Sequence, residues 1–250
     1  MDQNRQSHGF TIHSFDAVAS TSDEAERLAR EGAPDRSLVR ARSQTAGRGR
    51  LGRPWSSPEG NLYTTAILDP DLPLGRLQEL SFVASLAVHD AVAGLLPGAD
   101  LKLKWPNDVL LEGAKLSGIL TETLPRDGRY VALLGVGINL GHAPAETRYP
   151  ATSIREHLAE PPTVENFLEC YLAALSARYG QWRQDGFEAI REAWIARARW
   201  IGQRVIVENG PERKSGCYEG IDADGTMILR LDDGRQEKIA AGDVRLAEDS

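Results

Sequence analysis

Between Arg40 and Arg53 the chain carries five arginines and three glycines with no Asp or Glu, in a protein whose net charge is −7. Guanidinium groups fork paired donors onto carboxylate or phosphate, and glycines let backbone N–H groups approach an anion closely. The stretch has the makings of a cradle for a small negatively charged molecule. Gly47, Gly49 and Gly52 also spell G-x-G-x-x-G, the spacing of a dinucleotide-binding turn. That fingerprint needs a helix to open within the glycines, whereas Pro54, Pro58 and Gly60 follow here, and then an extended segment. A protein-kinase glycine loop does lie between two strands, yet no V-A-I-K, H-R-D or D-F-G follows. A solvated basic hairpin tip would share this composition, so the remaining chain has to decide.

Four further stretches combine polar side chains with tight backbone. Ser20-Thr21 opens a helix, and its plain reading is a cap. Lys104-Trp105-Pro106-Asn107-Asp108 ends a short strand, where Asp108 could serve simply as a turn-stabilising residue. Lys115-Leu116-Ser117-Gly118-Ile119-Leu120 and Gly135-Val136-Gly137-Ile138-Asn139 lie on later strands.

The elements that must position these groups are readable from periodicity. Residues 38–43 and 61–68 read as strands flanking the arginine stretch, which its Gly and Pro content makes a loop. Residues 10–14 form a first strand. A helix then runs from Ser20 to about Arg30, with Thr21 and Glu24 spaced as a capping box and Gly32 and Pro34 ending it. From Arg76 to Leu96 apolar residues recur at helical spacing with almost no charge, which predicts a buried helix on a sheet. Residues 101–104, then 109–111 and 115–123, read as a strand and a hairpin. The run at 130–140 is almost wholly apolar and belongs at the centre of its sheet. Helices follow at 164–178 and 187–199.

After Trp200 come short strands at 204–208, 213–221, 225–231, 236–239 and 244–246. Asn209-Gly210, Asp224-Gly225 and Asp233-Gly234 punctuate them. The spacing predicts a larger first domain over 1–200, which holds all the marked stretches, and a small β domain over 201–250.

Composition bounds the partners. With 250 residues and 41% hydrophobic content the chain can bury a sizeable core. Its acidity argues against general nucleic-acid binding, which relies on basic surface. Cys170 and Cys217 stand far apart, so neither a disulfide framework nor a zinc site is indicated. No run is apolar enough to span a bilayer and no signal peptide is evident, so the cytoplasm is the expected compartment.

Taken together and in order from Ser20 to Leu140, the five stretches strongly resemble the biotin protein ligases. The resemblance implies an α+β fold: a mixed sheet with packed helices, related to class II aminoacyl-tRNA synthetases, followed by a small SH3-like barrel. It implies a two-step reaction. Biotin and ATP, with Mg²⁺, give biotinyl-5′-AMP and pyrophosphate; a lysine of a biotin carboxyl carrier protein, a subunit of acetyl-CoA carboxylase, then takes the biotin.

The family pattern assigns roles to the residues. Ser20, Thr21 and Gln44 match the ureido-binding positions, with Gly47, Gly49 and Gly118 around the biotin. Arg48 and Arg50 fall near the biotin carboxylate, and Lys115 near that carboxylate and the α-phosphate. Arg50, Arg53, Trp55, Lys115 and Asn139 match the ATP side, Trp55 offering adenine a flat face. Lys115, Arg48, Arg50 and Asp108 are the implied catalytic group, Asp108 positioning or deprotonating the carrier lysine. No protein-held metal is implied, and a homodimer is compatible.

Some positions depart from the pattern. Ser22 stands where many members have Asn, and Arg245 lies two places earlier than an ATP-binding arginine would. About ten residues precede the first strand, so the expected type lacks an N-terminal DNA-binding domain. Two other functions would leave different marks in the sequence. Lipoate or octanoate ligases share the fold but would be expected to carry an R-G-G-type loop or an H-x-P-G run, which His142-Ala143-Pro144-Ala145 does not match. A non-catalytic biotin sensor would be expected to lose Lys115 or the arginine loop.

Overall fold

The computed structural model describes residues 5–145, 147 and 149–247. Its centre is an eight-stranded sheet built from β1 (Arg5–Ser7), β2 (Phe10–Val18), β3 (Ser37–Gln44), β4 (Leu62–Leu68), β5 (Leu101–Lys104), β6 (Asp108–Leu111), β7 (Ala114–Arg126) and β8 (Arg129–Ile138). The order is β1-β2-β3-β4-β8-β7-β6-β5. The β2–β3 pair is parallel and the other neighbours are antiparallel. A parallel pair needs a crossover, and α1 (Thr21–Arg30) supplies it.

Alternation along the strands sends side chains to two layers. Val131 and Leu133 of β8 join Val39, Ile67, Ala25 and Ala29 beneath α1. Ala132, Leu134, Val136 and Ile138 point the other way, into the main core. That second face is covered by α2 (Leu80–Leu95), α3 (Val164–Asp185) and α4 (Phe187–Ile195). Being buried on both faces, β8 occupies the interior of the sheet, as its apolar run predicts.

Five strands complete the chain: β9 (Arg204–Asn209), β10 (Glu212–Ile221), β11 (Met227–Arg230), β12 (Gln236–Ile239) and β13 (Asp243–Leu246). They make an antiparallel sheet of order β12-β11-β10-β9-β13, the strand set of the small barrel, left open between its edge strands. Its apolar face is continuous with the main core through Val205, Tyr218, Met227 and Leu229. At the seam the Trp105 indole N–H donates to the Gly225 carbonyl at 3.0 Å, and Phe82 packs on Gly225.

Several elements depart from the sequence reading. Thr21 is not a capping residue: Ser20 is the N-cap, its hydroxyl accepting from Ser22 N at 3.2 Å. Helix α3 continues past Arg178 because Tyr179 and Trp182 extend its buried stripe, until Gly186 turns the chain at φ 78°. Helix α4 stops at Ile195, and the following residues run alongside β5, with Leu103 N donating to Arg197 O and Arg199 N to Leu103 O.

Gly225 combines φ 83° with a position where a Cβ would lie 2.7 Å from the Phe82 ring. Gly225→Ala should therefore cost about 2 kcal/mol, lowering the melting temperature by about 4–8 °C. A thermal scan checks this; an unchanged midpoint would mean that the seam does not support the fold.

Candidate active site

The site begins where β3 ends. Gln44 closes that strand, and its Oε1 accepts from Thr21 N at 2.8 Å and Thr21 Oγ1 at 3.1 Å, while its Nε2 donates to Ser57 Oγ at 2.8 Å. Thr65 Oγ1 donates to Thr21 Oγ1 at 2.9 Å. Ser20 and Thr21 are buried at the start of α1. A chain of short amide and hydroxyl groups thus lines one end of the site.

The arginine stretch folds back on itself as a small hairpin, more regular than its glycine content suggests. Trp55 N donates to Gly47 O and Gly49 N to Arg53 O, both at 2.8 Å, with a single 3₁₀ turn over Arg50–Gly52. Gly47 permits no side chain: a Cβ would meet Ser57 Oγ at 2.5 Å and Trp55 O at 2.7 Å. Leu51, at the tip, takes φ 57° and is 78% exposed.

Ionic contacts, rather than apolar ones, anchor the hairpin. Arg48 Nη1 lies 2.5 Å from Asp23 Oδ1, and Nη2 lies 3.4 Å from Glu122 Oε2. Arg53 makes a bidentate pair with Asp243 of β13, at 3.1 and 2.6 Å. Arg50 donates to the neutral Asn107 Oδ1 at 3.2 Å. Burial pushes the Arg50 guanidinium below its ordinary range, against the pull of Asp108 and Asp243. The Asp243 hydrogen bond raises that of Arg53.

Opposite the hairpin, β6 and β7 bring Lys115 Nζ to 2.6 Å from Asp108 Oδ1. The same ammonium lies 5.5 Å from the centroid of the Trp55 ring. That indole is half-buried on a floor made by Gly118 and Gly137, where a Cβ would stand 3.0 and 2.5 Å from its atoms. Asn139 is 3% exposed, and its Nδ2 donates to Thr152 O at 3.1 Å. This bond, with Lys115 N to Pro150 O and Thr152 N to Lys115 O, ties the 150–152 segment to the Lys115 strand.

These groups surround a cavity of about 720 Å³. Every residue to which the resemblance gives a role lines it, from Ser20 and Gln44 at one end to Arg53 and Asn139 at the other. Among the lining residues without an assigned role are Lys104, Asn107, Tyr149 and Asp243. Lys104 and Asn107 sit beside Asp108 in a stretch the sequence had marked, and Asp243 precedes Val244 in the last strand. Tyr149, 4.3 Å from Lys104 Nζ by its ring centroid, left no signal. Arg245 faces Glu208 at 3.5 Å instead. No cluster of three or more His, Cys, Asp or Glu side chains able to hold a metal occurs among the described residues.

The site is therefore a polar-lined pocket under an arginine hairpin, on a mixed sheet with a small β appendage. The Biotin/lipoate A/B protein ligase family matches residues 15–139, and the Biotin protein ligase C terminal domain matches residues 200–246. The chain is 40% identical over 230 residues to the biotin--[acetyl-CoA-carboxylase] ligase of Paracoccus denitrificans, covering 89% of this chain and 95% of that protein. It is 34% identical over 237 residues to the bifunctional ligase/repressor BirA of Bacillus subtilis, covering 92% of this chain and 72% of that one. The solved biotin protein ligase from Aquifex aeolicus in complex with biotin and ATP superposes with a TM-score of 0.81 at 26% identity, covering 94% of this chain and 99% of that one. The chain belongs to the biotin protein ligase family.

The Trp55 floor yields a direct test. Gly137→Ala places a methyl group where the indole now rests, 2.5 Å from Nε1, and should lift Trp55 into solvent. The expected readout is red-shifted tryptophan emission with increased acrylamide quenching, since Trp105, Trp182 and Trp194 are each at most 2% exposed and the half-buried Trp200 is common to both proteins. Unchanged emission would mean that the indole does not rest on this floor.

Proposed function

We propose that this chain is an ATP-dependent ligase that activates biotin as biotinyl-5′-AMP and transfers it to a lysine of a biotin carboxyl carrier protein domain. Residues 1–200 form the catalytic unit and 201–250 a C-terminal domain in this reading. The observation that carries it is one cavity with a hydrogen-bonding end at Thr21–Gln44–Ser57 and a cationic end at Arg50, Arg53 and Lys115. A ureido ring offers N–H donors and a carbonyl acceptor, which short amide and hydroxyl groups answer. A dithiolane ring has no such need, which favours biotin over lipoate.

In the first step a biotin carboxylate oxygen bonds to the α-phosphorus of ATP, and the bond to the bridging oxygen breaks to release pyrophosphate. Two anions must meet, and fixed cations in a partly water-excluded pocket lower that repulsion. Lys115 is the group suited to bridge carboxylate and α-phosphate; Arg50 and Arg53 face the same space from the hairpin. Trp55 offers the nucleotide an apolar face, and Asn139 holds the adjoining segment in place through Thr152. Gly47, Gly49 and Gly118 lie on the wall that the ligand would meet, and Gly47 and Gly118 let Ser57 and Trp55 close in on it. Mg²⁺ would arrive on the ATP phosphates and keep much of its water.

In the second step the neutral lysine amine of the carrier attacks the acyl carbon, AMP leaves, and one proton must be taken up. Asp108 stands where it can orient that amine. Its close pairing with Lys115 also fixes the ammonium, so one carboxylate serves both steps. A carboxyl carrier subunit of acetyl-CoA carboxylase is the proposed acceptor. In this reading the enzyme is cytoplasmic and, being acidic, does not bind nucleic acid; a homodimer is compatible with it.

Incubating the protein with ATP, a carrier domain and either biotin or lipoate, then measuring intact mass, tests the proposal. The expected product is the carrier plus one biotinyl group, with none from lipoate or without ATP. Lipoylation, or binding of biotin without transfer, would select the other two functions.

A further inference from the structure

Arg48 rims the pocket, yet the carboxylates that hold its guanidinium, Asp23 and Glu122, are not among the residues lining it. Asp23 lies in the first turn of α1, two residues after Thr21, and Glu122 lies on β7, the strand of Lys115 and Gly118. One side chain therefore joins the hairpin to the two elements that build the rest of the site. Within the hairpin Arg48 is bridged to Pro54, between the rungs Trp55 N to Gly47 O and Gly49 N to Arg53 O. Fixing Arg48 fixes both rungs. The tip residue Leu51 contributes no apolar anchor, being mostly exposed. Burial works against the charge of Arg48, but Asp23 and Glu122 outweigh it and hold its pKa above the ordinary arginine value.

We propose that Asp23 and Glu122 are positioning residues: they grip Arg48 as a latch that holds the arginine hairpin against α1 and β7. Arg48 then acts on biotin through the placement of the hairpin, not by touching its carboxylate. This refines the role the family resemblance implies for Arg48, and it rests on the ligase reading only for its consequence in catalysis. The competing account of Asp23 is an acid complementing the α1 dipole, which would act independently of Arg48.

Limited trypsin digestion of the whole chain without substrates separates these accounts, because Arg50–Leu51 at the hairpin tip is a cleavable bond. Asp23→Asn/Glu122→Gln should raise its cleavage rate about tenfold, the opening expected on losing a charge-assisted anchor. Arg48→Gln should do the same, and the triple variant should add nothing further, since all three residues form one unit. No increase in the acid variant, or factors that multiply in the triple, would overturn the latch. Should the acid pair unfold on mutation, Glu122→Gln alone is expected to give a smaller increase that vanishes in the Arg48→Gln background, and persistence there would count against the proposal.

The catalytic consequence is read from retention of biotinyl-AMP after rapid gel filtration. Asp23→Asn/Glu122→Gln should lose it several-fold faster than the unmodified chain. Slower loss would mean that a released Arg48 binds the ligand itself, which contradicts the latch. If the unmodified chain formed no biotinyl-AMP at all, the ligase reading would fail while the digestion results stood.

Discussion

Like charges crowd the mouth of this pocket, and the arrangement of the site follows from how that crowding is relieved. Arg48, Arg53 and Lys115 each face a carboxylate: Asp23 with Glu122, Asp243, and Asp108. Arg50 alone of these four makes its side-chain hydrogen bond to a neutral amide, that of Asn107. Carboxylates placed among the cations let positive charge stay concentrated in a half-buried space without forcing the hairpin apart. The acids come from α1, β6, β7 and β13, so segments more than two hundred residues apart must converge for the charge balance to hold. The small C-terminal sheet enters the site by this route, through Asp243.

Exposed ion pairs contribute little singly, so the hairpin rests on uncharged contacts as well. Backbone rungs close the hairpin, glycines at 47, 118 and 137 allow its close approach to the sheet, and the indole of Trp55 fills the space they leave. The polar end is fixed differently, by a saturated relay from Ser57 through Gln44 and Thr21 to Thr65. A ligand entering there exchanges partners with groups already aligned, which limits the ordering cost on binding.

Much of this was legible in the sequence because it rests on local pattern. The buried run of β8, the uncharged face of α2 and the turn signals after Trp200 each stem from periodicity or turn chemistry, and the structure follows them. The cavity gathers all the chemically marked stretches, since each occupies a strand end or a helix start on the same edge of the sheet. What escaped was non-local. Thr21 resembled a cap because Glu24 lies three residues on, but the hydroxyl is taken by Gln44 and Thr65 from two other strands. The glycines and arginines argued for a loop but not for what holds it, since partners such as Asp23, Glu122 and Asp243 are spread along the chain. The last turns of α3 escaped as well, because Tyr179 and Trp182 continue a buried stripe that only tertiary packing completes.

The central claim is that this cationic pocket makes a mixed anhydride before any acceptor arrives. Exchange of labelled pyrophosphate into ATP, measured with biotin and no carrier, tests it most directly. Biotin-dependent exchange is expected, falling about 10²–10³-fold in Lys115→Ala, the usual loss for one charge-stabilising donor. Exchange that requires the carrier, or a Lys115→Ala rate close to normal, would contradict the account.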